Sequence, residues 1–271
     1  MSSEVNKMIV DFDMHTHTNL SLCAWKEATL DLYTEKAKEF GIKKMAITNH
    51  LWDSAIEGAC EWYVPQNFEH IAPLKKEIEE KNKSGEVKFL FGAEGEYSYK
   101  YRCPAVTPAV AEQLEILLVP NSHTHIVMPK EFIGQKRKHA EFMLDAFMDI
   151  VNSDVARYIT AIPHPFNAVN CNYSEELFDF ITDDEYKRCF DIAAEKGIGI
   201  EINPNFIKGK KLPEIYALPM MRMYCIAKEC GCKFTIGTDS HSAADFEAYP
   251  LLYIFCTVLD LHESDFHRIT K

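Results

Sequence analysis

The sequence predicts an α/β protein in which seven parallel strands, each followed by a helix, close into a TIM-like (β/α)7 barrel, a single domain over residues 1–271. Three observations carry this. Short β-rich apolar runs recur along the chain, amphipathic helical patterns fill most gaps between them, and no Gly-, Ser- or Pro-rich linker divides the sequence. Strands that alternate with helices pair in parallel through right-handed crossovers, and seven or eight such units close most naturally into a barrel. An open doubly wound sheet is the runner-up, but no glycine-rich phosphate loop follows any of the runs.

The first strand is expected over 8–14 (MIVDFDM) and ends at His15 and His17. A helix over 29–40 follows, with Leu30, Tyr33, Ala37 and Phe40 on one face and Gly41 where a helix C-terminus favours glycine. The second strand, 43–48, runs into Asn49-His50, and helix 67–83 carries Phe68, Ile71, Leu74 and Ile78 on its apolar face. The third, 87–92, leads to Glu94 and Glu96. The fourth, 116–122, ends before His123 and His125, with helix 136–152 behind it. The fifth, 158–163, delivers His164 between two prolines, and helix 183–196 starts on Asp183-Asp184 and stops at Gly197. The sixth, 198–202, reaches Glu201 and Asn203 ahead of helix 213–230. The seventh, 233–238, delivers Asp239 and His241 ahead of helix 245–260.

Seven of the eleven histidines therefore lie within a few residues of the C-terminal end of a predicted strand. In a parallel barrel those ends share one face, where catalytic groups gather. A single histidine there is most often a hydrogen-bonded loop residue, and a lone H-x-H is weak, although strand alternation puts residues i and i+2 on one face. Jointly they read as a metal site. Histidine with carboxylate and no thiolate cluster suits Zn²⁺, Mn²⁺ or Fe²⁺ rather than an iron–sulfur centre or a calcium loop. One tetrahedral ion needs about four ligands, so this many donors on one face imply two or three divalent ions, with a carboxylate such as Glu94 between them.

Bulk properties narrow the partners. A net charge of −12 argues against a long nucleic acid or an anionic membrane. No apolar stretch approaches the ~20 residues needed to span a bilayer and no signal-like segment opens the chain, so a cytoplasmic location is expected. Nine irregularly spaced cysteines, with Cys225, Cys230 and Cys232 the only cluster, match no familiar zinc-finger pattern and read as reduced thiols.

The motifs DMHTHT (13–18), AITNH (46–50), GAEGE (92–96), NSHTH (121–125), IPHP (162–165), EIN (201–203) and GTDSH (237–241) together resemble the PHP (polymerase and histidinol phosphatase) family of metal-dependent phosphoesterases, in order and spacing over residues 8 to about 245. The resemblance implies a distorted barrel of seven βα units. It implies that His15 and His17 hold one ion with Glu94 and Asp239, that Glu94 bridges to a second ion completed by His123 and His164, and that His50 and His241 belong to a third-metal side. The chain departs from the family pattern in three places. Asn49 stands where the family usually has Asp, and Cys23 falls near a position that often carries His. In NSHTH, His123 keeps the family distance and His125 is the alternative. Asn49, Cys23 and His125 are thus secondary ligand candidates.

The implied chemistry is hydrolysis of a phosphate ester by metal-bound hydroxide attacking phosphorus at a di- or trinuclear centre, since ions lower the pKa of bound water to ~7. The catalytic candidates are His241, Asp239 and His50, with His241 the first choice to protonate the departing alkoxide. The substrate phosphate is expected to meet Asn203 and Lys208, near Lys210 and Lys211 after the sixth strand, and Lys100 and Arg102 after the third. A small phosphomonoester, histidinol-phosphatase-like, is the leading substrate class. Nucleotide phosphodiester hydrolysis and a non-catalytic metal-binding regulatory module are the alternatives. A metallohydrolase acting on C–N bonds fits the motifs less well.

Overall fold

The computed structural model describes residues 10–271. Nine strands are present among them: β1 Phe12–Thr16, β2 Lys44–Leu51, β3 Lys88–Gly95, β4 Tyr97–Ser98, β5 Cys103–Pro104, β6 Ile116–Leu118, β7 Ala161–Ile162, β8 Gly199–Ile202 and β9 Phe234–Ile236. Seven form one parallel sheet in the order β1-β2-β3-β6-β7-β8-β9, and β4 and β5 make a small antiparallel pair. The sheet curls until its edges meet. Thr16 bridges Ser240 in parallel, His17 N–H donates to the Ser240 carbonyl at 2.8 Å, and Asp239 N–H donates to the His15 carbonyl at 2.8 Å. The result is a nearly closed seven-stranded barrel with helices outside.

Asp13 staples that seam. Its carboxylate accepts from Thr238 N at 3.0 Å, Thr238 Oγ1 at 2.5 Å and its own neighbour His15 N at 3.2 Å. Burial nonetheless outweighs these bonds and pushes the Asp13 carboxyl up to about 7. The strands are buried along nearly their whole length, as expected where side chains fill the barrel on one face and meet helices on the other.

Helix ends follow local chemistry. Thr29 accepts from Leu32 N at the start of helix Leu30–Phe40, and Gly41 closes it at φ 73°. Helix Asp183–Lys196 opens on a capping box between Thr182 and Glu185, so the cap is Thr182 rather than the acidic pair, and Gly197 ends it at φ 70°. Three helices expected as single elements are broken, each at a proline. Residues 67–83 divide into Phe68–Ile71 and Pro73–Asn82, and 213–230 into Leu212–Tyr216 and Pro219–Glu229. Over 245–260, a 3₁₀ run Ala243–Leu251 containing Pro250 precedes helix Leu252–Val258. A proline lacks the N–H that continues the ladder and clashes with the preceding turn. The expected first strand 8–14 begins outside the described residues, and the expected fifth, 158–163, is strand only at Ala161–Ile162 after a 3₁₀ turn. No described helix is long and apolar enough to cross a membrane.

Buried polar side chains are concentrated at the C-terminal ends of the strands, including His15, His17, His50, Glu94, Glu96, His123, His164 and Glu201.

Candidate metal centre

Pleating brings His15 and His17 to one face of β1, with their Nε2 atoms 3.0 Å apart. The β2–β3 register sets His50 directly opposite Glu94, and His123, His164, Asp239 and His241 enter from the loops after β6, β7 and β9. Glu94, 1% exposed, is the hub. Its Oε2 lies 3.6 Å from His15 Nε2, 3.5 Å from His17 Nε2 and 3.0 Å from His50 Nδ1. Its Oε1 lies 3.0 Å from His164 Nε2 and 3.6 Å from His123 Nε2. Asp239 Oδ1 completes the other side at 3.0 Å from His17 Nε2 and 3.4 Å from His15 Nε2. Ligand atoms fall into three overlapping groups, each within 4.8 Å: His15, His17 and Asp239; His15, Glu94 and His164; His17, His50 and His241.

The outer hydrogen bonds turn the histidines inward. His15 Nδ1 donates to Glu201 Oε2 at 2.7 Å, and His123 Nδ1 donates to Glu96 Oε2 at 2.9 Å. His241 Nδ1 donates to the Asp239 carbonyl at 2.7 Å. Carboxylates and carbonyls only accept, so each of these Nδ1 atoms carries hydrogen and Nε2 is left to face the cluster. His164 Nδ1 pairs with Ser122 Oγ at 2.6 Å and His17 Nδ1 with Ser21 Oγ at 3.2 Å. The Glu96 carboxylate is itself held by Tyr63 OH at 2.7 Å and Tyr97 N at 2.7 Å.

The electrostatics call for positive charge at the centre. Burial alone would keep His15 neutral, yet Glu201, Asp239 and Glu94 outweigh it and raise its pKa well above the ordinary value. Burial would likewise raise Glu94, but His123, His15 and His50 pull it far down, and Asp239 is lowered mainly by His15 and His17 against its own desolvation. Burial and the neighbouring His241 and His50 keep His17 well below its ordinary value. Two buried atoms, Glu94 Oε2 and His50 Nδ1, face each other at 3.0 Å with no outer hydrogen-bond partner for either. A buried acceptor and an imidazole nitrogen that meet only each other at the focus of five rings suit a cation site. The donor set of imidazoles and carboxylates therefore fits divalent ions of the Zn²⁺, Mn²⁺ or Fe²⁺ type. Two donors of the cluster, His164 (φ 30°) and Asp239 (φ 53°), adopt left-handed backbone, as do four residues outside it.

The secondary candidates separate. Asn49 Oδ1 accepts from Thr18 N at 2.9 Å, Thr18 Oγ1 at 3.2 Å and Ser21 Oγ at 2.9 Å, so its carboxamide is consumed in holding the loop after β1. Cys23, on that loop, shares a cavity wall with His241 and His50; burial acts to raise its thiol, but these imidazoles bring it down to about 6. His125 is exposed and sits on a cavity wall, its ring 5.9 Å from that of His123.

Two cavities open on the cluster and share Val169, Asn170 and Asp239. One, ≈ 410 Å³, is largely apolar and is walled by Trp62, Ile126, His123 and His125 with Cys23, His50 and His241. The other, ≈ 660 Å³, is rich in carboxamides from Asn167, Asn172, Asn203 and Asn205. Neither is lined by Lys or Arg. Of the expected phosphate contacts only Asn203 lines either of these two cavities, and its Oδ1 also accepts from Asn205 N at 2.9 Å. Arg102 instead pairs with Asp149 at 3.1 Å, Lys100 with Glu57 at 3.4 Å, Lys208 with Glu247 at 3.9 Å and Lys210 with Glu175 at 2.8 Å. Acids on neighbouring elements capture these cations, a pairing that sequence spacing does not display.

The supporting residues Glu201, Glu96, Ser21 and Ser122 carry no role in the sequence reading. The signal for Glu201 is an acid set between isoleucines in the buried run IGIEI.

Solved structures were compared with this arrangement. The histidinol phosphate phosphatase of Lactococcus lactis subsp. lactis Il1403, solved with zinc, L-histidinol and phosphate, superposes with a TM-score of 0.63 at 16% identity, covering 96% of this chain and 95% of that one. A chain of an archaeal ribonuclease P bound to mature tRNA gives a TM-score of 0.43 at 12% identity, covering 91% and 90%. No curated protein sequence matches the chain. The model of the PHP domain matches residues 13–205, from the strand bearing His15 and His17 to just past Asn203. The chain belongs to the PHP-domain family.

Proposed function

We propose that this protein is a metal-dependent phosphoesterase whose substrate is a small phosphomonoester. The observation that carries this is the set of three overlapping ligand groups on one rim, one of them including Glu94, with His15, His123 and His241 each aimed by an outer acceptor. His15, His17, Glu94 and Asp239 would hold one ion, Glu94 with His123 and His164 a second, and His50 with His241 a third. When bound, the ions supply Lewis acidity, lowering the pKa of coordinated water to ~7 and offsetting charge on the phosphoryl oxygens.

The chain's own groups do the rest. Glu201 and Glu96 orient His15 and His123, and Asn49 and Ser21 hold the loop that presents His17. His241, the first choice from sequence as proton donor, has Nδ1 committed to the Asp239 carbonyl and a second contact to Cys23. Among the described residues His125 is the cavity-wall imidazole with no hydrogen bond, and it is placed to hold a proton for the departing alkoxide. With no cationic side chain on either wall, phosphate charge is met by the ions, and the carboxamides of Asn167, Asn203 and Asn205 favour an uncharged or amine-bearing alcohol over an anionic one. The neighbouring enzyme solved with L-histidinol makes histidinol phosphate the first compound to try. A second reading, phosphodiester hydrolysis, draws on the two unlike cavities meeting at Asp239, which offer room for two substituents on phosphorus.

The test is phosphate release by Mn²⁺- or Zn²⁺-loaded protein from a panel of phosphomonoesters and diesters. Monoesters of neutral or amine-bearing alcohols are expected to turn over best. Diester preference selects the second reading, and an inert panel at full metal loading overturns both in favour of a non-catalytic metal-binding module.

A further inference from the structure

We propose that Trp62 selects the substrate: the alcohol released from phosphorus carries an uncharged aromatic or heteroaromatic ring that packs on the Trp62 indole, in the apolar cavity beside the metal cluster. This rests on the reading of the site as a phosphomonoesterase and names the class of alcohol it takes.

The two cavities at the rim differ in their access to the cluster. The apolar one is walled by His50, His123, Asp239 and His241, whereas the carboxamide cavity meets only Asp239 of these four. His125, the imidazole placed to protonate the alkoxide, also stands on the apolar side. A phosphoryl group held by the ions with its ester oxygen towards His125 therefore points its alcohol at Trp62, Ile126 and Val169.

That wall is anchored from behind. Trp62 and Ile126 pack against a small hydrophobic cluster of Trp52, Tyr63 and Ala105, separate from the main core. Gln66 Nε2 donates to the Trp62 carbonyl at 3.0 Å, and Tyr63 N donates to the Cys60 carbonyl at 2.8 Å. Tyr63 OH in turn donates to Glu96, the partner of His123, so the wall and a metal ligand share one support. The Trp62 indole is half-buried. Its ring neighbours, His50 (centroids 5.0 Å apart, planes at 67°) and Tyr63 (4.7 Å, 85°), both meet it edge to face. Among the described residues no ring stacks parallel on it.

These features favour one kind of occupant. An apolar wall without Lys or Arg penalises a second charged group on the alcohol. An aliphatic group gains from the burial of its surface. A flat ring of equal size gains that and an aromatic contact besides, about two- to tenfold in affinity. The cavity, ≈ 410 Å³, has room for such a ring, since small-molecule sites run from about 300 to 1,000 Å³. Polar substituents of the ring have the carboxamide cavity next door, which shares Val169, Asn170 and Asp239.

Phenethylphosphonate and its cyclohexylethyl counterpart test this. Both carry CH₂ in place of the ester oxygen and resist hydrolysis, and they differ in aromaticity at nearly equal size. Calorimetric titration of metal-loaded, full-length protein should show the phenethyl compound binding about two- to tenfold more tightly. Trp62→Leu should abolish that preference and Trp62→Phe should retain most of it. Metal content per chain, measured for both variants, separates loss of the ring contact from loss of an ion. Equal affinity for the two phosphonates in the unaltered protein, or a preference that survives in Trp62→Leu, overturns the assignment of Trp62, and phosphate release from monoesters then upholds the phosphoesterase reading without it. If the metal-loaded protein binds neither phosphonate and cleaves no monoester, the phosphoesterase reading falls and this inference with it.

Discussion

Replacing Glu201 with Gln separates charge from shape at the strongest outer contact of the cluster. Glu201 is 1% exposed, its Oε2 accepts from His15 Nδ1 at 2.7 Å, and its Oε1 accepts from His164 N at 3.1 Å. A carboxamide has one acceptor and one donor end. Either its NH₂ faces His15 Nδ1–H, or it faces the His164 amide, and in both cases two donors meet. The alternative is for His15 to change tautomer, which puts hydrogen on Nε2 and removes its lone pair from the cluster. Loss of an outer partner of a ligating histidine weakens metal binding about 10- to 100-fold, or about 1.4–2.7 kcal/mol. The net value of a hydrogen bond to a charged group, about 1.5–3 kcal/mol, gives the same range. Competition with a chromophoric chelator measures this directly. The variant should bind its weakest-held ion at least about tenfold less tightly, and excess metal should restore activity. Unchanged affinity would show that His15 does not depend on Glu201 and would refute this orientation argument.

Gly237→Ala would set a Cβ 2.3 Å from His15 Cβ and 2.4 Å from Glu201 Oε2; overpacking of about 1–3 kcal/mol should lower Tm and metal affinity together, as scanning calorimetry and chelator competition would show. His125→Asn should lower kcat for alkyl phosphates while sparing a p-nitrophenyl ester, whose leaving group needs no proton; equal losses on both would remove His125 from proton transfer. The Arg137 hydrogen bond holds Glu185 down at about 2 from the ordinary 4.5, so its stabilisation is full above pH 4.5 and is lost as pH falls towards 2. Urea midpoints in that window should fall less steeply for Glu185→Gln, by about 1 kcal/mol given the half-exposed arginine. Arg102→Ala and Lys208→Ala, whose side chains pair with Asp149 and Glu247, should leave KM for a phosphomonoester unchanged in steady-state assays.

What could be read in the sequence was whatever the chain states locally. The apolar runs, their period and the residues that follow them locate His15, His50, Glu94, His164 and Asp239 on one rim, because parallel pairing sends all strand ends the same way. Pairings between distant residues could not be read. His15 and Glu201 are 186 positions apart and His123 and Glu96 are 27 apart, and nothing in the spacing says which acid accepts from which ring. The cations failed for the same reason: Arg102 and Lys100 follow β3 as expected, but Asp149 on helix Lys136–Val151 and Glu57 intercept them. Helix lengths were overestimated where the apolar stripe continued through Pro73, Pro219 and Pro250, since burial sustains the pattern after the hydrogen-bond ladder has stopped. Asn49 stands beside His50 in sequence, yet successive residues of a strand face opposite ways, and it serves the β1 loop.

Metal content per chain, measured by elemental mass spectrometry on the unaltered protein and on Glu94→Gln, tests the central claim most directly. Glu94 touches all five rings of the hub, so the unaltered protein should hold two or three divalent ions and the variant should lose those that Glu94 bridges, with phosphate release falling alongside. Equal metal content and equal turnover in the two proteins would contradict the account.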